Sequence, residues 1–245
     1  MLKALAEGVI DLFLPRHCAV SGRPLLDDDA GPVAAEVLRR AELVGADYCT
    51  RCGAPQGAGV GVIGECLSCR EVRDGFGTRE IVAAGRYAGV LEDMCLALKF
   101  GGAREVARPL SAWLTPLLIE RGIADKIDAV VPVPLSALRT LQRGYNQAEL
   151  IAGGLGLGKP VLNALRRMRP TDRQAMLSLA QRRRNVEGVF KARKPAVIEG
   201  KTLLLVDDVM TSGATFAEAA RTLKRAGAKA VYGAIAARAA LGEDS

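Results

Sequence analysis

Two adjacent carboxylates and a hydroxyl-rich turn are the residues of this chain whose types and spacing most directly imply chemistry. Asp207 and Asp208 follow the apolar run 203–206 and precede the segment Thr211-Ser212-Gly213-Ala214-Thr215. Small side chains in that segment let backbone N–H groups approach an oxyanion, and its hydroxyls add donors. The carboxylates would repel a phosphate, but they can accept hydrogen bonds from vicinal sugar hydroxyls beside it. The pattern therefore predicts a sugar phosphate site.

The elements around this segment are typical of an open α/β sheet. Residues 203–206 show no polar alternation, which indicates a strand buried on both faces of a parallel sheet. The two acids would then emerge at its carboxyl end, where such sheets bind ligands. A helical pattern follows from Phe216 to Ala226, and its positive N-terminus would point at the same place. The plainer alternative is a buried strand that ends in a solvated acidic turn, and the composition of the loop disfavours it.

A second glycine-rich stretch satisfies the P-loop pattern only formally. Residues 153–160 fit GxxxxGK, but Pro160 stands where a Ser or Thr hydroxyl should reach magnesium. The stretch also follows a helical pattern instead of a strand, and proline lacks the N–H that would open a phosphate-binding helix. We therefore interpret these glycines as the end of a helix.

Four of the six cysteines form two C-x2-C pairs, Cys49 with Cys52 and Cys66 with Cys69, separated by thirteen residues. Two such turns can place four thiolates around one ion, so the spacing predicts a structural zinc site. Chance clustering and a redox C-x-x-C are the alternatives, and the pairing disfavours both. Cys95 lies in an apolar helical pattern and is expected in the core. The sequence assigns no role to Cys18.

Composition limits the class of protein. With 245 residues, of which 49% are hydrophobic, the chain can bury one substantial core plus a small module. It contains no run of 18 apolar residues that would span a membrane, and acidic residues interrupt its amphipathic N-terminal segment, so we expect a cytoplasmic protein. We expect two domains, residues 1–75 with an N-terminal helix and a zinc-ribbon-like module, and residues 76–245.

The larger domain alternates strand and helix patterns. That alternation predicts a mostly parallel sheet with flanking helices and right-handed crossovers. The predicted strands lie at 81–85, 128–134, 203–206 and 231–236, and the predicted helices at 91–98, 110–119, 135–155 and 217–225.

The formal net charge of +7 is concentrated in one segment. Between Arg166 and Lys194, which we call the basic arm, ten residues are Lys or Arg and two are acidic. A solvated charged face, a lid over an anionic ligand and a surface for nucleic acid are the three interpretations. Aromatic residues are scarce there, which weakens stacking on single strands. We favour the lid, because mobile loops commonly close such sites.

The strand, the acidic pair, the short spacer and the Thr/Ser-Gly-x-Thr loop resemble the signature of type I phosphoribosyltransferases. The resemblance implies that fold and the ligand 5-phosphoribosyl 1-diphosphate (PRPP). It also implies that Asp207 and Asp208 hold the ribose 2′ and 3′ hydroxyls, and that residues 211–215 surround the 5′-phosphate.

Three further groups of segments narrow the resemblance. Together with the cysteine pairs they resemble the ComF family, also called ComFC or GntX-like, a cytoplasmic group linked to competence and DNA uptake. Ser21 departs from it, because many members carry a cysteine there. The segments are 96–102; 131–135 with 143–147; and 169–174 with 184–186.

The resemblance implies further ligand-binding residues. Lys99 and Gly101 would bind the diphosphate, and Arg143, Asn146 and Gln147 would line the site, Arg143 and Gln147 from one helix face. Magnesium would be held mainly by ligand oxygens. The residues assigned to the lid are Thr171, Gln174 and Arg184.

The implied reaction is displacement of diphosphate at the ribose anomeric carbon by a nitrogen base. No residue is identifiable as its general base, and neither the acceptor nor the oligomeric state can be inferred. The alternative function is a non-catalytic adaptor in DNA uptake or recombination. Such an adaptor would use the zinc module and the basic arm to contact proteins or single-stranded DNA.

Overall fold

The computed structural model describes residues 16–26, 28–29, 31–45, 48–55, 66, 69, 75–169 and 185–239. The predicted N-terminal helix and the three predicted lid residues, Thr171, Gln174 and Arg184, lie outside the described residues.

The core of the fold is a four-stranded parallel sheet with the order β1-β6-β5-β2. Strand β5 has a neighbour on each side, but its pairing with β2 ends at Val206, and beyond that point the segment that carries the acids pairs with β6 alone. Strands β3 and β4 form a separate antiparallel pair within the basic arm. Each has only three residues, which is too short for a recognisable pattern in the sequence. The strands are β1 (Ile81–Arg86), β2 (Ala129–Pro132), β3 (Leu165–Arg167), β4 (Phe190–Ala192), β5 (Thr202–Met210) and β6 (Ala230–Arg238).

Helices cover both faces of this sheet, as the alternation of patterns predicted. No helix in the described part of the chain is both long and apolar enough to cross a membrane. The helices are α1 (Ala35–Leu38), α2 (Gly89–Phe100), α3 (Ala107–Glu120), α4 (Ile123–Lys126), α5 (Ala137–Arg143), α6 (Gln147–Gly154) and α7 (Ala214–Arg225), with 3-10 turns at Arg104–Val106 and Pro195–Val197.

The largely helical pattern predicted over 135–155 is confirmed, and the structure divides it into α5 and α6. Gly144 ends α5 in a left-handed conformation with φ of 73°, which glycine adopts without strain. The side chain of Asn146 then caps α6 by accepting a hydrogen bond from the amide of Ala148. The end of α6 at Gly154 agrees with the interpretation of the glycine-rich stretch as a helix end.

The segment around the acidic pair also differs from the prediction in its boundaries. Strand β5 continues beyond Val206 to Met210, because the longer β6 pairs with it as far as Arg238. The acids therefore lie within the strand and not after it. Helix α7 begins at Ala214, two residues before the predicted start, because Gly213 takes a left-handed conformation and serves as its N-cap.

Alternate residues of β5 face two different hydrophobic clusters, as expected for a strand buried on both faces. Leu204 and Val206 pack with α2, α3 and the buried Cys18. Leu203 and Leu205 pack with Phe216 of α7 and, in the same cluster, with all four paired cysteines. The cysteine module and the sheet therefore share one core.

Candidate functional site

A cleft of about 970 Å³ opens at the carboxyl ends of β2 and β5. Open α/β sheets bind ligands at this edge. Its charged and polar lining residues are Tyr87, Lys99, Arg139, Gln142, Arg143, Tyr145, Arg167, Asp207, Asp208, Thr211 and Thr215. Gly102, Gly213 and Ala214 line it with little or no side chain.

The two acids at the floor of the cleft differ in their surroundings. Asp208 is 9% exposed, and one of its oxygens lies 3.4 Å from the ammonium of Lys99. Its other oxygen accepts a hydrogen bond from the amide of Val209 at 2.6 Å. Asp207 is half-buried and accepts a hydrogen bond from the amide of Asp208 at 2.9 Å. No cation in the described part of the chain forms an ion pair with Asp207.

The charges of this group perturb one another. Burial, followed by the adjacent charge of Asp208, raises the pKa of Asp207 well above its ordinary value. For Lys99, burial acts to lower the pKa, but the charge of Asp208, together with smaller effects from Cys95, Asp207 and Tyr87, outweighs it and the pKa is raised. Lys99 therefore stays protonated and supplies a fixed positive charge beside the acids.

The loop after β5 leads directly into the N-terminus of α7. A Cβ atom on Gly213 would collide with the ring of Phe76 and lie 2.6 Å from the terminal methyl of Met210, so any other residue would force these side chains to shift. Thr211 and Thr215 line the cleft, whereas the buried Ser212 turns inward, its hydroxyl 3.4 Å from the amide of Ala214. The first residues of a twelve-residue helix thus line the cleft beside the acids, and a helix N-terminus favours an anion.

The segment predicted to bind diphosphate lies on the opposite side of the cleft. Lys99 is in the last turn of α2, and its side chain reaches the acids. Gly101 caps that helix and is not part of the lining. The cleft is instead lined by Gly102, whose φ of 69° requires glycine.

Arg143, Asn146 and Gln147 come together around the break between α5 and α6, so the expectation of one shared helix face is wrong. Of the three, only Arg143 lines the cleft. The buried Gln147 accepts a hydrogen bond from it at 3.0 Å and thereby orients the guanidinium. Asn146 donates to the carbonyl of Val133 at 3.0 Å as well as capping α6. Gln147 and Asn146 therefore position the site without facing the cleft.

Two cations that line the cleft are not among the site residues predicted from the sequence. Arg139 precedes Arg143 by four residues, so both lie on one face of α5, and that spacing was a usable signal. Arg167 belongs to β3 at the start of the basic arm. It was counted as part of the charge run, and only the pairing of β3 with β4 shows that it reaches the cleft.

The four paired cysteines form one buried cluster. Their sulfur atoms all lie within 4.8 Å of one another. The sulfurs of Cys52 and Cys66 are 3.3 Å apart, and those of Cys49 and Cys69 are 3.6 Å apart. Four sulfurs at about 2.3 Å from a tetrahedral zinc ion would be separated by about 3.8 Å, so the donor set and spacing fit. The cluster could therefore hold a metal ion such as zinc.

The thiols of this cluster cannot all ionise by themselves. The hydrogen bond from Cys52 lowers the pKa of Cys49 to about 4. Burial raises the pKa of Cys69 to about 12, and the hydrogen bond to Cys49 raises that of Cys52. Four thiolates in one buried place need a cation among them.

The two remaining cysteines are separate from the cluster. Cys95 is fully buried in the core, as expected. Cys18 is also buried, and its sulfur accepts hydrogen bonds from the amides of Ala34 at 3.3 Å and Ser21 at 3.4 Å. Burial acts to raise the pKa of Cys18, but these amides outweigh it and the pKa is lowered.

Comparison with known proteins agrees with this geometry. A family model described as the phosphoribosyl transferase domain matches residues 118–243. The DNA utilization protein YhgH of Escherichia coli K12 is 30% identical, over 90% of this chain and 96% of that protein. Competence protein F of Haemophilus influenzae is 30% identical, over 75% of this chain and 81% of that protein. Competence protein ComFC of Bacillus subtilis is 29% identical, over 73% and 72%.

A solved structure of the allosteric regulatory enzyme of purine biosynthesis aligns with this chain with a TM-score of 0.36 and 26% identity. The alignment covers 54% of this chain and 26% of that one, and the family assignment does not depend on it. The domain match and the near full-length relatives are sufficient without it. The chain belongs to the ComF family of proteins with a phosphoribosyltransferase domain.

Proposed function

We propose that the protein binds PRPP or a nucleoside 5′-phosphate together with Mg²⁺ in the cleft, and serves DNA uptake or DNA utilisation in the cytoplasm. The biological context rests on the names of its relatives, which are a DNA utilization protein and two competence proteins. The ligand rests on the cleft itself.

The observation that carries the proposal is the separation of charge within one cleft. Carboxylates of Asp207 and Asp208 lie on β5, and the amides that begin α7 follow them within a few residues. A ribose 5-phosphate bound along this path places its vicinal hydroxyls on the acids and its phosphate on the amides.

A second group of cations fits a second anionic group on the ligand. Arg139, Arg143 and Arg167 line the cleft, and Lys99 stands beside the acids. One monophosphate does not need four cations in addition to a helix N-terminus. PRPP carries a diphosphate on the anomeric carbon, and these side chains suit it.

The cleft also suits a hard divalent cation. Mg²⁺ would be held mainly by ligand oxygens, with Asp207 as the protein carboxylate open to it. When bound, it would neutralise charge that develops on the diphosphate.

The reaction that follows from this ligand is phosphoribosyl transfer. The bond between the anomeric carbon and diphosphate breaks, and a nitrogen base forms the new bond at that carbon. Such a step depends on positioning and charge stabilisation, which Lys99 and the arginines supply. A screen of PRPP consumption against free nitrogen bases tests this reaction. If no base causes the release of diphosphate, the protein binds the ligand without transferring the phosphoribosyl group.

Calorimetric titration of the full chain with PRPP and Mg²⁺ tests the ligand. We expect binding by the wild type, and a loss of at least about tenfold in affinity in the Asp207→Asn, Asp208→Asn double variant. Asp125→Asn is the matched control, because Asp125 is exposed in α4, before β2. Absence of heat for the wild type, or equal affinities for double variant and control, would contradict the proposal.

A specific observation also favours the adaptor function. A second cleft of about 530 Å³ adjoins the first, and the two share Pro134, Leu135 and Arg167. Arg166 and Arg193 line it without any acidic residue, and apolar side chains complete it. Such a surface suits the backbone of single-stranded DNA.

Fluorescence anisotropy with labelled single-stranded DNA at several salt concentrations distinguishes this function. The adaptor predicts a linear fall of log affinity with log salt, with a slope reduced by about one or two in the Arg166→Gln, Arg193→Gln variant. The exposed pair Lys126→Gln, Lys224→Gln removes the same charge elsewhere and should leave the slope unchanged. Equal slopes in both variants exclude this surface.

We also propose that the four-cysteine cluster holds a structural zinc ion. Metal analysis of protein purified without added zinc should give about one equivalent per chain. The Cys49→Ser, Cys66→Ser variant should lose it, and retention of the metal there would refute the site.

A further inference from the structure

Arg238, the last residue of β6, has a side chain that is fully buried. Within the described part of the chain no carboxylate pairs with it, and its Nη2 atom has no hydrogen-bond partner. An uncompensated buried cation is costly by several kcal/mol, so a fold that keeps one gains something from it. The surroundings of Arg238 indicate what that is.

The guanidinium joins the cysteine cluster to the phosphate-binding loop. Its Nε donates to the carbonyl oxygen of Cys52 at 3.1 Å. Its Nη1 donates to the carbonyl of Met210 at 2.9 Å and to those of Thr211 and Ala239. One side chain thus holds a metal-site residue and two consecutive residues of the loop.

The guanidinium lies against the cysteine cluster, because its Nε is hydrogen-bonded to the backbone of Cys52. A zinc ion with four thiolates keeps a formal charge of about −2. Arg238 is placed to be the counter-charge of that group.

The same hydrogen bonds set the orientation of the loop. In a trans peptide the N–H points opposite to the carbonyl, and the described chain contains no cis peptide. Because Arg238 binds the carbonyls of Met210 and Thr211, the next two N–H groups, on Thr211 and Ser212, point away from it and from the cysteines. A phosphate loop needs this arrangement, since inward carbonyls would repel the anion.

We propose that Arg238 is a positioning residue that couples the metal-loaded state of the four-cysteine cluster to the geometry of the phosphate-binding loop. Loss of the metal removes the charge that holds the guanidinium and loosens residues 210–213, so affinity for the phosphate ligand falls. The affinity part rests on the proposed ligand, whereas the coupling itself rests only on the proposed metal ion of the cluster.

Hydrogen–deuterium exchange of the full chain tests the coupling without any ligand. Chelation of the metal under reducing conditions should speed exchange at 211–214 by about tenfold or more, while α3, which packs on the opposite face of the sheet, stays within about twofold. In metal-loaded Arg238→Gln the loop should already exchange rapidly, and chelation should add little. Unchanged exchange on chelation, or a wild-type response in Arg238→Gln, overturns the proposal.

A conservative variant separates positioning from a failure to fold. Arg238→Lys keeps the charge, but its single nitrogen cannot take the places of both Nε, which donates to Cys52, and Nη1, which donates to Met210 and Thr211. We expect it to bind one equivalent of metal and to retain exchange protection in α3, with raised exchange in the loop. If chelation of the wild type also speeds exchange in α3, the comparison of metal-loaded Arg238→Lys with the metal-loaded wild type decides instead. Loop protection in Arg238→Lys equal to that of the wild type would refute the coupling.

Titration with PRPP and Mg²⁺, and with inorganic phosphate, then separates the two claims. If wild type binds and metal-loaded Arg238→Lys binds about tenfold more weakly, both stand. If wild type binds and the variant is equal, only the role of Arg238 fails. If wild type binds neither probe, the proposed function fails, and loop exchange still decides on the coupling.

Discussion

The ammonium of Lys99 lies 3.4 Å from the carboxylate of Asp208, whereas no cation of the described residues pairs with the adjacent Asp207. Two neighbouring acids of one strand therefore have different tasks. Asp208 holds Lys99 across the cleft, and we propose that Asp207 takes its partner from a bound ligand. Removal of the charge of Asp207 should therefore raise the stability of the protein, and removal of the charge of Asp208 should lower it.

Asp207→Asn should stabilise the ligand-free protein. Burial and the charge of Asp208 oppose ionisation of Asp207, and an amide keeps the acceptor for the amide of Asp208 without the charge. We expect the free energy of unfolding at pH 7 to rise by about 1 kcal/mol. Urea denaturation measures it, and a loss of stability would contradict this account of the site.

Asp208→Asn should destabilise the protein, because it leaves the largely buried ammonium of Lys99 without its ion pair. We expect a loss of about 1–3 kcal/mol in the same denaturation experiment. Lys99→Met, which removes the cation instead, serves as the companion variant. The Lys99→Met, Asp208→Asn double variant should lose less stability than the two single variants together. Losses that simply add would show that the pair is not coupled.

The pH dependence of ligand affinity should report on Asp207. Its pKa is raised, so the carboxylate that accepts ribose hydroxyls or Mg²⁺ is lost at a higher pH than for an ordinary aspartate. Affinity should fall as the pH falls through that raised pKa. Stability of the ligand-free protein follows the opposite sign, because the folded state retains a proton that the unfolded state releases. Calorimetry of the wild type, and urea denaturation of the wild type relative to Asp207→Asn, both between pH 4 and pH 8, measure the two trends, and trends of the same sign would contradict the assignment.

Gly213→Ala should disrupt the phosphate loop. A Cβ there meets both a left-handed backbone, with φ of 73°, and the side chains of Phe76 and Met210. Gly156→Ala is the matched control, since Gly156 has a φ of 63° and open space around it. We expect about 1 kcal/mol for the control and about 1–3 kcal/mol more for Gly213→Ala. Equal losses would show that the collision is relieved at no cost.

Glu218 of α7 should make the fold sensitive to acid. Burial acts to raise its pKa, but hydrogen bonds from Arg225, the amide of Gly188 and Arg221 outweigh it and lower the pKa. Its contribution is therefore present above the unfolded pKa and is lost as the pH falls.

Glu218→Gln should then lose about 1–3 kcal/mol at pH 7, and the difference from wild type should shrink below about pH 4. The exposed Glu120→Gln is the control. A difference that stays constant with pH would assign the effect of Glu218→Gln to packing instead of charge.

The local parts of the site were predictable from the sequence. The acidic pair, the hydroxyl-rich loop and the cysteine pairs each lie within a few residues, and their chemistry is legible in that spacing. The same holds for Arg139, which one helical turn relates to Arg143. The boundary of β5 was less predictable, because its last residues are strand only through pairing with β6.

The parts that escaped prediction depend on long-range contacts. Arg238 follows an apolar strand pattern, and its acceptor on Cys52 is 186 residues away in the chain. Phe76 has no local feature that indicates contact with Gly213. Composition identified the basic arm, but only the pairing of β3 with β4 brings Arg167 to the cleft and Arg193 to the neighbouring groove.

The shared core of the cysteine cluster and the sheet has an evolutionary consequence. A module with its own core can be exchanged between proteins by recombination, because it brings its stability with it. Here Phe76, Arg238 and the cysteines complete one interior from both ends of the chain. A gene fragment that encodes only the cysteine module or only the sheet would lack part of the residues that form the core. We therefore expect selection to keep the two parts together in one gene.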